Sequence, residues 1–137
     1  MRIREIMSHD VRVAAPTDDI RTAARMMAEL DIGALPVGEN GRLVGMLTDR
    51  DITIRAVAEG RVPADCKVGE IMSSDIKYVF EDEDVGDLCR NMMELQIRRL
   101  PVLDRDKRVI GIVSLADLAT KQGGIHAEQA IRGVSRP

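Results

Sequence analysis

Apolar residues at Ile20, Ala23, Ala24, Met27 and Leu30 are spaced by threes and fours, as one stripe of an α-helix requires. The stripe returns at Val85, Leu88, Cys89, Met92 and Leu95. Ahead of each, a short run (Val11 to Ala15; Ile76 to Phe80) predicts a strand ending in an acidic turn, PTDD and then EDED. Carboxylates there suit the positive N-terminus of the following helix. Behind each stripe a strand is predicted around Leu35 to Val37 and its counterpart, followed by a turn, GENG or DRDK. A further strand (Arg42 to Leu47; Arg108 to Val113) then runs into a helix from Thr48 or Ser114. Gly60 and Gly123 suit the ends of those helices. The order β-α-β-β-α is thus written twice.

The individual residues repeat as well. At an offset of 65, REIMSHDV (4–11) overlays GEIMSSDI (69–76). Arg25, Met27, Glu29, Leu30 and Ile32 recur as Arg90, Met92, Glu94, Leu95 and Ile97, and Leu35-Pro36-Val37 as Leu100-Pro101-Val102. One residue added in the second turn moves the offset to 66, so Gly45 and Asp51 meet Gly111 and Asp117. The expected organisation is repeat one over 1–60, a Pro63-containing linker over 61–68, repeat two over 69–122 and a tail over 123–137 that is weakly helical after Gly124. A three-stranded sheet with two helices buries little surface alone, and two packed copies relieve that. Adjacent methionines, Met26-Met27 and Met92-Met93, lie about 100° apart on a helix. One of each pair is therefore expected at a second interface, between repeats or between chains.

Composition narrows the function. The chain has 137 residues, 45% apolar and 31% charged, with net charge −3 and no basic block, so a nucleic-acid partner is not indicated. Tyr78 and Phe80 are its only aromatics, too few for base-stacking platforms. No apolar run approaches the ~18 residues of a membrane span, and MRIREIMSHD has no secretory h-region. Cys66 and Cys89 form no CxxC, which agrees with free thiols in a reducing cytoplasm, and Cys89 falls on the apolar stripe as a core thiol. His9 and His126 lack metal-ligand spacing, so no metal site is expected. There is no Ser-His-Asp set, P-loop or placed pair of acids, so an enzyme is the weakest class.

The chemistry sits in the repeated phrase GMLTDRDI (45–52) and GIVSLADL (111–118). Thr48-x-x-Asp51 and Ser114-x-x-Asp117 resemble the S/T-x-x-E/Q capping box, with an acid shorter than the Glu or Gln that best closes it. Each also lies where a strand hands over to a helix, a place where backbone N–H groups and a hydroxyl meet a phosphate. An Asp one turn later can accept two hydrogen bonds from a ribose diol. Gly45 and Gly111 permit close approach of backbone or ligand.

With IGALPV…GRLVGMLTDRDI and IRRLPVLDRDKRVIGIVSLADL both in view, residues 3 to 122 resemble the cystathionine-β-synthase (CBS) domain family in its tandem form, the Bateman module. Residues 31 to 52 look especially like small stand-alone bacterial pairs, such as the hypoxic response type. It implies an α/β fold of α+β character, with two β-α-β-β-α repeats packed as one pseudo-two-fold module. It implies clefts between the repeats that bind AMP, ADP or ATP, or sometimes S-adenosylmethionine or a dinucleotide such as NAD. The hydroxyl of Thr48 or Ser114 would meet phosphate, and Asp51 or Asp117 the ribose. The family's cross-repeat cleft would join Thr48 and Asp51 to Ile97 and Arg98, and Ser114 and Asp117 to Ile32 and Gly33, with Met46 and Ile112 lining the adenine pocket. Arg50 and Arg98 would then make the Thr48 cleft the one for ADP or ATP, with Arg99 or Lys77 as further cations. Alternation along a strand argues against Arg98 and Arg99 entering one cleft together. The resemblance implies a non-catalytic regulatory sensor, homodimeric and cytoplasmic, that signals to a separate effector protein. A scaffold without a nucleotide is the alternative.

Overall fold

The computed structural model describes residues 1–122. The helix end expected at Gly123, the tail and His126 lie outside the described residues. The described residues pack as two compact units, Arg12–Ile76 and Met1–Val11 with those from Lys77 to Gln122.

In the first unit, α1 (Ile20–Leu30) follows the predicted stripe and buries Ile20, Ala23 and Met27. Both acids of PTDD bind backbone: Asp19 Oδ1 accepts from Thr22 N–H at 2.8 Å and Asp18 Oδ2 from Ala15 N–H at 2.9 Å. That second bond bends the chain after Ala14. The strand expected over Val11 to Ala15 is consequently a single parallel bridge, Ala14 to Val37. β1 (Ala34–Glu39) and β2 (Arg42–Thr48) form an antiparallel hairpin with Ala34 opposite Thr48. Its turn has positive φ at both Asn40 (56°) and Gly41 (81°), matching the strands' twist. α2 (Asp49–Asp51) is one turn that continues as π-helix over Ile52–Val57 and ends at Gly60, φ 72°. A 3-10 turn (Pro63–Asp65) and α3 (Val68–Ile71) complete the unit.

The second unit repeats the plan. β3 (Val79–Phe80) is two residues of the expected strand, parallel to β4 (Arg99–Leu103), which pairs antiparallel with β5 (Val109–Ser114). α4 (Val85–Leu95) is capped by Asp84, whose Oδ2 accepts from Gly86 N–H at 2.8 Å. α5 (Leu115–Asp117) is again one turn, running into π-helix over Leu118–Gln122.

The repeated EIMS segment explains why units and sequence repeats are cut differently. Glu5 and Glu70 each accept from the backbone N–H three residues earlier, at Arg2 and Lys67, both at 2.6 Å. The turn so fixed buries Ile6 and Ile71 and extends Met-Ser along a hairpin. Ser73 exchanges two backbone bonds with Met46 (2.8 and 2.9 Å), and Ser8 two with Ile112 (2.8 and 3.0 Å). The segment that opens repeat two thus edges the hairpin of repeat one, and the segment that opens repeat one edges the hairpin of repeat two. Gly45 and Gly111 are the places of contact. A Cβ at Gly45 would meet Met72 Sδ at 2.6 Å, and one at Gly111 would meet the Ser8 carbonyl oxygen at 2.7 Å. The close approach predicted at these glycines is made by backbone and methionine of the chain itself.

Each unit has its own apolar core, and Cys66 and Cys89 are buried within them. Met27 and Met92 are buried, and Met26 and Met93 pack half-buried against the same two cores. The apolar face of each helix is wide enough to take both neighbours.

Candidate functional site

The hairpins deliver the two hydroxyl–acid phrases to equivalent places. Thr48 ends β2 and Ser114 ends β5, both with extended backbone that lets the side chain fold over the next turn. Both capping boxes are closed. Asp51 N–H donates to Thr48 Oγ1 (3.1 Å) and Thr48 N–H to Asp51 Oδ2 (2.9 Å). Asp117 N–H donates to Ser114 Oγ (3.2 Å) and Ser114 N–H to Asp117 Oδ2 (2.8 Å), with the Ser114 hydroxyl also 3.1 Å from that oxygen. The short acid reaches because both groups are held in one tight turn. Asp51 Oδ1 faces Arg55 Nε at 3.9 Å, while Arg55 Nη1 donates to the Ile71 carbonyl at 3.1 Å.

A cleft adjoins each phrase. One, of about 430 Å³, is bounded by α1 and the helix after β2; Met27, Asp31, Ile32, Gly33, Asp49 and Ile52 are among its lining residues. The other, of about 330 Å³, is lined by Arg98, Arg99, Ser114, Leu115, Ala116 and Ala119. The same backbone bond anchors both: Asp49 N–H donates to the Gly33 carbonyl (2.9 Å) and Leu115 N–H to the Arg98 carbonyl (2.8 Å).

Each of these clefts draws its lining from one unit. Ile32 and Gly33 lie with the Thr48 turn, and Arg98 with Ser114, each on its own hairpin. Antiparallel pairing sets the residues ahead of Leu-Pro-Val opposite the end of the following strand, so Ala34 faces Thr48 and Arg99 faces Ser114. Arg98 and Arg99 line one cleft together, since Arg98 precedes β4 and strand alternation does not apply to it. Thr48, Asp51 and Asp117 flank lining residues in sequence without lining the clefts. Arg50 is exposed, and its backbone N–H donates to Asp49 Oδ1 at 2.8 Å. Met46 and Ile112 are half-buried strand residues outside both clefts, and Ile97 packs on the core of its unit. Sequence reasoning missed Asp31 and Asp49 as lining residues. Asp49 stood within the quoted phrase, and its neighbour across the hairpin, Gly33, was the available signal.

The CBS domain model matches residues 3–57 and 68–124. The chain belongs to the CBS domain family. It is 39% identical over 120 residues to the CBS domain-containing protein YhcV of Bacillus subtilis, covering 88% of this chain and 84% of that one. It is 41% identical over 117 residues to hypoxic response protein 1 of Mycobacterium tuberculosis, covering 85% and 81%. A crystal structure of Hypoxic Response Protein I with two coordinated zinc ions superposes with TM-score 0.79 at 40% identity, over 87% of this chain and 97% of that one. The CBS domain pair of protein MJ0100, in complex with 5′-methylthioadenosine and S-adenosyl-L-methionine, gives 0.76 at 30% identity, over 90% and 97%. In this chain, no three His, Cys, Asp or Glu side chains among the described residues are grouped to hold a metal. No helix among them is long and apolar enough to cross a membrane.

Proposed function

We propose that this CBS pair is a non-catalytic regulatory module that binds adenosine-containing ligands reversibly and passes the bound state to a separate protein in the cytoplasm. The observation that carries it is the hydroxyl–acid box beside a cleft in both units, in a chain 30% identical to a CBS pair crystallised with two adenosyl compounds. Asp51 Oδ2 serves the box, so a ribose diol would meet Oδ1, the oxygen that faces Arg55 Nε at 3.9 Å. AMP, ADP and ATP are the ligands of first choice, with S-adenosylmethionine, methylthioadenosine and NAD as the other adenosyl candidates. The module works as a homodimer, so that ligand binding is read at a chain–chain surface.

The test is calorimetry of the whole chain against those six ligands, with the recovered ligand checked for turnover. Saturable binding of at least one, recovered unchanged, is the expected result. Asp51→Asn combined with Asp117→Asn keeps an acceptor for each box, removes the charge and should weaken binding with little loss of stability. If none of the ligands binds, the module is a scaffold and the reading fails.

A further inference from the structure

Met72 and Met7 stand at equivalent places in the two units, each with its sulfur against the glycine of a hairpin. A Cβ added at Gly45 would meet Met72 Sδ at 2.6 Å, and one at Gly111 would meet Met7 Sδ at 2.9 Å. Their access to water differs. Met7 is 4% exposed and belongs to the core of its unit, whereas Met72 packs against its own core from a half-buried position. The next residue, Ser73, makes both backbone bonds that fix this segment to the first hairpin, with Met46 at 2.8 and 2.9 Å. The turn before Met72 is held separately. Glu70 Oε2 accepts from Lys67 N–H at 2.6 Å, and Arg55 Nη1 donates to the Ile71 carbonyl at 3.1 Å. A disturbance at the Met72 side chain therefore passes forward to Ser73 and not back into the turn.

We propose that Met72 is a site of oxidation by peroxide, that its sulfoxide loosens the edge of the first hairpin, and that Met7 is its shielded twin. A sulfur lone pair takes one oxygen of hydrogen peroxide as the O–O bond breaks, and the other oxygen leaves as water with both peroxide protons. Sulfur loses two electrons and the peroxide gains them. A flexible apolar thioether becomes a polar, chiral group that packs poorly against a core. Pointed at β2, the new oxygen has no room, since Met72 Sδ already lies too close to Gly45 for a carbon to fit. Turned to water, it draws the sulfur off Gly45 and out of its core contact. In both cases the Ser73–Met46 pair loses the packing beside it. β2 ends at Thr48, so the hairpin that loosens is the one that carries the first hydroxyl–acid turn. The second hairpin is spared, because burial of Met7 keeps the oxidant out.

The experiment treats the folded full chain with dilute hydrogen peroxide, maps sulfoxides by peptide mass spectrometry, and follows amide hydrogen exchange and urea unfolding. Met72 should oxidise about tenfold faster than Met7 or more. The oxidised protein should exchange its Met46 and Ser73 amides several-fold faster and unfold at a lower urea midpoint, with the Ser8 and Ile112 amides unmoved. Methionine sulfoxide reductase should restore both readouts. Met1, Met26, Met46 and Met93 also reach solvent, so Met72→Leu, which keeps the volume without the sulfur, assigns the effect. Under the same peroxide that variant should keep its own midpoint and exchange rates. The proposal is overturned if Met72 oxidises no faster than Met7, if its sulfoxide leaves the Met46 and Ser73 amides unmoved, or if peroxide loosens Met72→Leu as it does the parent.

Discussion

Replacing Gly111 with alanine places a methyl carbon 2.7 Å from the Ser8 carbonyl oxygen and 2.9 Å from Met7 Sδ. The sulfur can swing aside, but the carbonyl belongs to a backbone held by two bonds with Ile112. Relief comes either by overpacking in place, about 1–3 kcal/mol, or by releasing both bonds, at a net ~0.5–1.5 kcal/mol each. These routes are alternatives, so the cost settles near about 2 kcal/mol. Gly45→Ala meets a different neighbour first: Met72 Sδ at 2.6 Å, the far part of a flexible side chain, then the Ser73 carbonyl at 3.0 Å. It should cost about half as much, roughly 1 kcal/mol. Urea unfolding reads both as a lowered midpoint at unchanged slope. Truncating Met72 to alanine should couple favourably with Gly45→Ala, whereas truncating Met7 should not rescue Gly111→Ala. A Gly111→Ala protein within ~0.5 kcal/mol of the parent, or a Gly45→Ala protein that is the less stable of the two, would refute the edge-strand account of EIMS.

Thr48→Ala opens one capping box and should cost about 1 kcal/mol in urea unfolding, with Thr48→Ser near the parent. The Asp19 carboxyl is held below its usual range, first by the backbone N–H of Thr22. A lowered folded-state pKa means that the cap stabilises above the unfolded value of 3.8 and is lost as pH falls through the folded one. The stability gap between parent and Asp19→Ala, followed by denaturation across pH 2 to 6, should therefore close only on the acid side of that value.

Local patterning carried the helices and hairpins. Ile20, Met27, Leu88 and Met92 are buried where the helical period put them, and GENG turns where Asn-Gly allows positive φ. The outer strands were overread, because Ala15 N–H is taken by Asp18 and leaves only Ala14 on the sheet. Asp is shorter than the Glu or Gln that best closes a capping box, yet the turn is tight enough to close both boxes. The grouping of Ile32 and Gly33 with the Thr48 turn, and of Arg98 with Ser114, comes from hairpin register, which residue spacing carries. Pairing Ala34 with Thr48 and Arg99 with Ser114 follows from the GENG and DRDK turns that the sequence already marks.

The crossing of the EIMS segments has a consequence for how the chain acquires its structure. Ile3, Ile6 and Met7 belong to a core whose other members run from Val79 to Leu118. During synthesis those residues emerge well before the partners they pack against. Residues 12–76, by contrast, contain all the strands and core of their own unit and can condense as soon as Ser73 is free to lie against Met46. Long sequence separation slows closure, since loop entropy must be met before any contact forms. Ile3, Ile6 and Met7 thus act as a latch for a unit made after them. A fragment starting at residue 12 should fold its first unit and leave the second with an open hairpin edge, ready to take the same segment from another chain.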